Sequence, residues 1–206
     1  MLIVGAKGFA KEVLEIVAPN YWKISLYDDI NVNEDLLYGK YEILHNIQQV
    51  EDFLKSNGGL FTIGIGNPHL RFKLYNKFLN LGGVFASTIS INSEIGSEDI
   101  HIGKGCNILS GSKISNSVRI GKGSIIYYNA VITHDCEIGE FVEISPSVNI
   151  LGRVTIGNFT QIGANATILP NIKIGNNVIV GAGSVVTKNV PDDVVIFGVP
   201  ARINKQ

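Results

Sequence analysis

From Ile102 to Val186 every sixth residue is Ile or Val, running through Ile108, Ile114, Ile120, Ile126 and Ile132 to Ile174 and Val180. Four residues beyond each leading aliphatic stands a small or β-branched side chain, as at Cys106, Ser112, Val118, Ser124, Ala130, Cys136, Val142 and Val148. A helical period of 3.6 would scatter this repeat around a cylinder, and an ordinary strand would alternate strictly. A parallel β-helix accounts for it. Each hexad becomes a short strand and a corner, the leading aliphatic points inward, and successive coils stack about 4.8 Å apart. Three hexads close one coil, so residues eighteen apart in sequence lie above one another.

The first eighty or so residues follow another rule. Leu2-Ile3-Val4 reads as a buried strand, Gly5-Ala6-Lys7-Gly8 as a tight loop, and Phe9 to Val17 as a helix carrying Val13, Leu14, Ile16 and Val17. Lys23 to Tyr27 predicts a second strand ending at Asp28-Asp29. Phe61 to Ile65 predicts another, ending at Gly66-Asn67-Pro68, with a helix from about His69 to Leu81 behind it. Short strands alternating with helices imply a parallel α/β sheet, here a small Rossmann-like one, too short for a complete dinucleotide fold. The expected domains are 1–84 for the α/β unit and 85–206 for the β-helix with its C-terminal segment. Gly82-Gly83 and a strand around Val84 to Ile89 join them. Tyr21, Trp22 and Tyr27 read as core or rim of the α/β unit, and Pro191, Gly198 and Pro200 as the end of the coil.

Composition narrows the partners. A formal net charge of -1 over 206 residues gives no reason to expect nucleic acid. The amino terminus has neither a charged lead nor a long apolar run, and no stretch approaches the roughly 20 apolar residues of a membrane span, so a cytoplasmic protein with no membrane partner is expected. Both cysteines, Cys106 and Cys136, fall at inward positions on different faces of the coil, which predicts small hydrophobes and no disulfide. Of the four histidines, none forms the close pair in the repeat that a three-histidine zinc site would need, so no metal is expected.

Two places could carry chemistry. Amides opened by Gly5 and Gly8 at the first helix could take a phosphate, and Asp28 and Asp29 at the end of the second strand could hold ribose or base donors. The Gly-x-x-Gly loop is an incomplete fingerprint, and a structural glycine turn explains it too. In the repeat, Thr133-His134-Asp135-Cys136 puts an imidazole beside a carboxylate on the outside of a corner, and eighteen residues on lies Gly152, bare backbone over the ring. A base next to an N–H able to donate to an oxyanion suits acyl transfer. A solvated surface histidine over a corner glycine is the alternative.

The hexapeptide run, the small α/β unit before it, and the strings Ile132-Thr-His-Asp-Cys-Glu-Ile-Gly-Glu-Phe141, Gly163-Ala-Asn-Ala-Thr-Ile-Leu-Pro-Asn171 and Gly198-Val-Pro-Ala-Arg202 resemble the sialic acid O-acetyltransferase-like group of left-handed β-helix acyltransferases. Members of that group N-acetylate nucleotide-linked amino sugars. The resemblance implies a left-handed coil, a homotrimer, acetyl-CoA as cosubstrate and no metal. It implies that His134 is the general base, that Asp135 orients it, and that the Gly152 amide contacts the thioester carbonyl. Ala164 and Ala182 would hold pantetheine against main chain, while Gly5, Gly8, Asp28, Asp29 and Gly66 would contact the nucleotide.

Two positions depart from relatives that have histidine there: Phe9, beside the sugar and phosphate site, and Glu143, beside coenzyme A. Lys188, Arg202 and Lys205 could pair with coenzyme A phosphates or simply be solvated. The activity implied is N-acetylation of a UDP- or dTDP-linked 4-amino-4,6-dideoxy sugar for surface glycan (lipopolysaccharide or O-antigen) assembly. The alternative is O-acetylation of sialic acid or a related hydroxyl acceptor.

Overall fold

The computed structural model describes residues 1–204, so Lys205 lies outside the described residues. The chain divides into two compact units, residues 1–88 and 89–206. Among the described residues no helix is long and apolar enough to cross a membrane.

In the first unit the elements are β1 (Leu2–Val4), α1 (Phe9–Val17), β2 (Ser25–Tyr27), β3 (Leu36–Leu37), β4 (Tyr41–Leu44), α2 (Ile47–Ser56), β5 (Leu60–Ile63), α3 (Pro68–Asn80) and β6 (Val84–Phe85). The sheet order is β3-β4-β2-β1-β5-β6, parallel except where β3 meets β4. β1 lies in the middle, with Leu2 opposite Ser25 on one side and Phe61 on the other. All three β1 residues are buried, as a central strand covered on both faces requires.

Helix α1 buries Phe9, Ala10, Val13, Leu14 and Val17. It packs so closely on the sheet that a Cβ at Gly64 would stand 2.6 Å from the Ala10 Cα. The end of β5 therefore needs a glycine. The hairpin of β3 and β4 and the helix α2 were not anticipated. Their signal is a capping box, in which the Asn46 side chain accepts from the Gln49 N–H and the Gln49 side chain returns to the Asn46 N–H. Trp22 is 92% exposed, so it is not a core residue, whereas Tyr27 is buried.

The second unit is a parallel β-helix with the expected register. Ile126 pairs with Ile144, Ile132 with Ile150, and Ile138 with Ile156, each step being one coil. The leading aliphatics from Ile108 on and the apolar residues four beyond them form one buried cluster that includes Cys106 and Cys136. Each fully buried Val or Ile contributes about 1.5–3 kcal/mol relative to exposure, so these inward apolar positions are a large part of the coil's stability.

The corner depends on the residue three beyond each leading aliphatic. Asn129, Asp135, Asn165, Asn171 and Asn177 there have φ between 54° and 63°, and Gly105, Gly111, Gly123 and Gly183 take the same left-handed turn. Phe141 and Phe159 occupy it against their preference and stack on each other at 5.9 Å. Beyond Pro191 the chain adds one more strand, Val195–Gly198, parallel to Ile179–Val180, then reverses through Pro200 into Ala201–Ile203.

Candidate active site

Asp135 owes its place beside His134 to the left-handed corner, with φ at 59°. The His134 Nδ1 lies 2.7 Å from Asp135 Oδ2, and both side chains are about half exposed, at 53% and 51%. If Nδ1 carries the proton and donates to Asp135, Nε2 presents a lone pair, the form a general base needs. The ring lies over Gly152, where an added Cβ would meet Cε1 at 2.6 Å and Nε2 at 2.8 Å. Arg153 N donates to the His134 carbonyl at 3.1 Å and Asn171 N to the Gly152 carbonyl at 3.0 Å. The expected stacking of positions 134 and 152 is thus present.

A comparison of corners shows what is unusual here. Two residues beyond the leading aliphatic, the backbone N–H points toward the residue eighteen positions on. At one corner asparagine side chains close these groups: Glu140 N donates to Asn158 Oδ1 and Asn158 N to Asn176 Oδ1, both at 2.8 Å, and Asn176 N to Asp192 Oδ1 at 2.8 Å. On the face of His134 the pattern begins with Glu98 N donating to Asn116 Oδ1 at 3.2 Å and then stops. The following occupants are His134, Gly152 and Pro170, and neither glycine nor proline has a side-chain acceptor.

The Gly152 N–H has no acceptor among the described residues. The same holds for Ala164 and Ala182, which stack through the 2.8 Å bond from Gly183 N to the Ala164 carbonyl and whose methyl groups cannot accept. Three backbone donors are left open where the resemblance implied contacts with coenzyme A. Glu143 lies on the strand Glu143–Ile144, half-buried between Ile125 and Gln161 of neighbouring coils. Cys136 donates its thiol to the Leu151 carbonyl at 3.3 Å, and burial pushes the thiol up, which makes it a poor nucleophile.

In the α/β unit a cavity of about 640 Å³ opens at the carboxyl ends of β1, β2 and β5, lined in part by Gly5, Lys7, Asp28, Asp29, Lys73 and Lys77. That is where ligands bind in open parallel sheets. Gly5 has φ +114°, and a Cβ there would crowd the Gly64 carbonyl at 3.0 Å.

Gly8, Phe9 and Gly66 do not line the cavity: Gly8 caps α1, Phe9 is buried as the first residue of that helix, and the Gly66 carbonyl accepts from the buried guanidinium of Arg71. The lysines of α3 were not anticipated. Leu70, Lys73, Leu74 and Lys77 recur at the spacing of a single helix face, which was the available signal. Burial pushes the Asp28 carboxyl up, but bonds from Asn31 and Ile30 and the charge of Lys7 outweigh it and hold the group below its ordinary value. Burial and the adjoining Asp29 push the Tyr27 hydroxyl well above its ordinary value. Among the described residues no group of three or more His, Cys, Asp or Glu is placed to hold a metal ion.

Fold and corner together define a hexapeptide-repeat transferase. The family model for bacterial transferase hexapeptides (six repeats) matches residues 99–134, 135–168 and 153–188, and that of the PglD N-terminal domain matches residues 1–78. WeeI from Acinetobacter baumannii AYE is 31% identical, with 98% of each chain covered and a TM-score of 0.89. A histidine-to-asparagine variant of perosamine N-acetyltransferase from Caulobacter crescentus, solved with CoA and GDP-perosamine, is 27% identical over 100% of this chain and 96% of that one, with a TM-score of 0.92.

The acetyltransferase domain of PglB from Neisseria gonorrhoeae FA1090, 24% identical over 98% of both chains with a TM-score of 0.87, shares the fold. A comparison with curated proteins finds no match. The chain belongs to the hexapeptide-repeat transferases that carry a PglD-type N-terminal domain, acyltransferases built as a small α/β unit followed by a left-handed parallel β-helix.

Proposed function

We propose that this chain transfers the acetyl group of acetyl-CoA to the amino group of a nucleotide-linked 4-amino-4,6-dideoxy sugar, with His134 as general base. The observation that carries the reading is the pairing of an oriented imidazole with an open backbone donor. His134 Nδ1 is 2.7 Å from Asp135, and the ring lies against Gly152, whose N–H has no acceptor among the described residues. The relative solved with both CoA and GDP-perosamine supports the pair of substrates.

The acceptor amine attacks the thioester carbonyl carbon while His134 Nε2 takes a proton from the amine. The Gly152 N–H donates to the oxyanion of the tetrahedral intermediate, a contact that stabilises charge only as it develops. Collapse expels coenzyme A, whose sulfur takes the proton from the imidazolium. Asp135 steadies that imidazolium. The open N–H groups of Ala164 and Ala182 hold the pantetheine amides, and Glu143 borders the same cofactor. No acyl-cysteine forms, because both thiols are buried in the coil.

The nucleotide sits in the cavity of the α/β unit, at Gly5, Asp28 and Asp29; Gly8, Phe9 and Gly66, which the resemblance also implied, lie outside its lining. UDP and dTDP are the nucleotides implied by the family resemblance, while the perosamine relative carries GDP, so all three belong in the test. The enzyme acts in the cytoplasm as a homotrimer, feeding surface glycan assembly, and the flat faces of β-helices from neighbouring subunits form the coenzyme A groove. Dilution that dissociates the trimer should therefore abolish activity. Thiol release from acetyl-CoA, followed with UDP-, dTDP- and GDP-linked 4-amino-4,6-dideoxyhexoses and with free sialic acid, tests the acceptor. Turnover with a nucleotide amino sugar supports the proposal, and turnover with sialic acid alone overturns it.

A further inference from the structure

We propose that the diphosphate of the acceptor is held between Lys7 and Lys73, and that Asp29, not its neighbour Asp28, is the carboxylate that receives donors from the nucleoside. The inference rests on the nucleotide-linked acceptor proposed above. It follows from which charges in the 640 Å³ cavity are already satisfied and which are not.

Of the two aspartates, Asp28 is occupied by its own turn. Its Oδ1 accepts from Ile30 N and Asn31 N, both at 3.0 Å, and its Oδ2 accepts from Asn31 Nδ2 at 2.9 Å. This is the local closure that Asp provides at turns, and it leaves little capacity for a ligand. Asp29 is held differently. Its Oδ2 accepts from the Tyr27 hydroxyl at 2.7 Å and lies 3.6 Å from Lys77 Nζ, while its Oδ1 has no partner among the described residues. Tyr27 is buried and itself accepts from Lys77 Nζ at 3.1 Å, so the carboxylate is fixed from below with one oxygen open. An ionised carboxylate only accepts, so what it recognises is a ribose diol or an imino N–H.

The cations divide in the same way. Lys77 is committed to Asp29 and Tyr27 and lies 5.2 Å above the Tyr27 ring. Lys7 and Lys73 line the same cavity, and among the described residues neither ammonium group has a hydrogen bond or ion pair, the charge of Lys7 acting only at longer range on Asp28. Lys7 comes from the loop before α1 and Lys73 from α3. A sugar-linked diphosphate carries one charge on each phosphate, and two ammonium groups lining one cavity match it, each donating to phosphate oxygens. The open oxygen of Asp29, fixed at the end of β2, then meets the nucleoside.

Calorimetric titration of the full-length protein with UDP, GDP and dTDP, and with the matching monophosphates, tests this. For the diphosphate that binds wild type best, Lys73→Gln and Lys7→Gln should each weaken binding about tenfold. The monophosphate should lose less, Lys73→Arg should restore most of the affinity, and coenzyme A should bind all variants as it binds wild type. Asp29→Asn should weaken mono- and diphosphate by the same factor. Diphosphate binding within twofold of wild type in both glutamine variants would overturn the proposal, as would equal losses for mono- and diphosphate. Failure of wild type to bind any nucleoside diphosphate would instead overturn the acceptor reading beneath it.

Discussion

Two corners of one β-helix treat the same backbone group in opposite ways. At the corner of Glu140, Asn158 and Asn176, each exposed N–H is closed by a side chain from the next coil at 2.8 Å, a ladder that repeats because the fold repeats. At the corner of His134, Gly152 and Pro170 the ladder is missing, the Gly152 N–H is open, and an imidazole fills the space. The first corner closes its backbone and stabilises the coil. The second gives up that closure and holds an imidazole beside an open donor. In a repeat protein, function is found where the repeat fails to satisfy itself, and an open donor is informative because the neighbouring corners show what would have closed it.

The contrast can be broken at either corner. Gly152→Ala should lower kcat by about 100-fold, since its Cβ would lie 2.6 Å from the His134 ring. Thermal stability should change little, because the half-exposed ring can swing away while the backbone stays. A kcat close to wild type would show that the stacking is incidental. Asp135→Asn, which tolerates the left-handed corner, should lower kcat about tenfold through loss of the carboxylate partner of Nδ1.

At the other corner, Asn158→Ala should leave kcat unchanged and reduce unfolding free energy by about 1 kcal/mol, measured by urea denaturation. The smallest effect is expected in the α/β unit. The Asp28 carboxyl is held below its ordinary value in the fold, so its stabilisation is present above the ordinary carboxylate range and lost as pH falls through the depressed value. The Tm difference between wild type and Asp28→Asn should therefore be largest near neutral pH and vanish in acid.

Much of this was legible in the sequence, for physical reasons that differ by region. The six-residue spacing sets the coil and its eighteen-residue register because inward positions must be apolar, and this also stacks His134 on Gly152. The strand Leu2–Val4 and the helix Phe9–Val17 were read with the bounds they have. The hairpin before Leu44 and α2 were not, since their signals lie in turn and cap chemistry around Asn46 rather than in an apolar run.

Of the aromatic residues read as core or rim, Tyr27 is in the core and Trp22 at the exposed rim, a division that aromatic character alone does not make. The Asp28-Asp29 pair reads as one feature in sequence, and only the bonds of Asn31 and Tyr27 separate a turn former from an open acceptor. Open N–H groups cannot be read from a sequence at all until the acceptors around them are placed.

The most direct test of the central claim is a crystal structure of the protein with acetyl-CoA bound. The account predicts the thioester oxygen about 3 Å from the Gly152 nitrogen, within hydrogen-bond reach, with His134 Nε2 facing the thioester carbon. A thioester bound at another corner, with the Gly152 N–H still unoccupied, would contradict it.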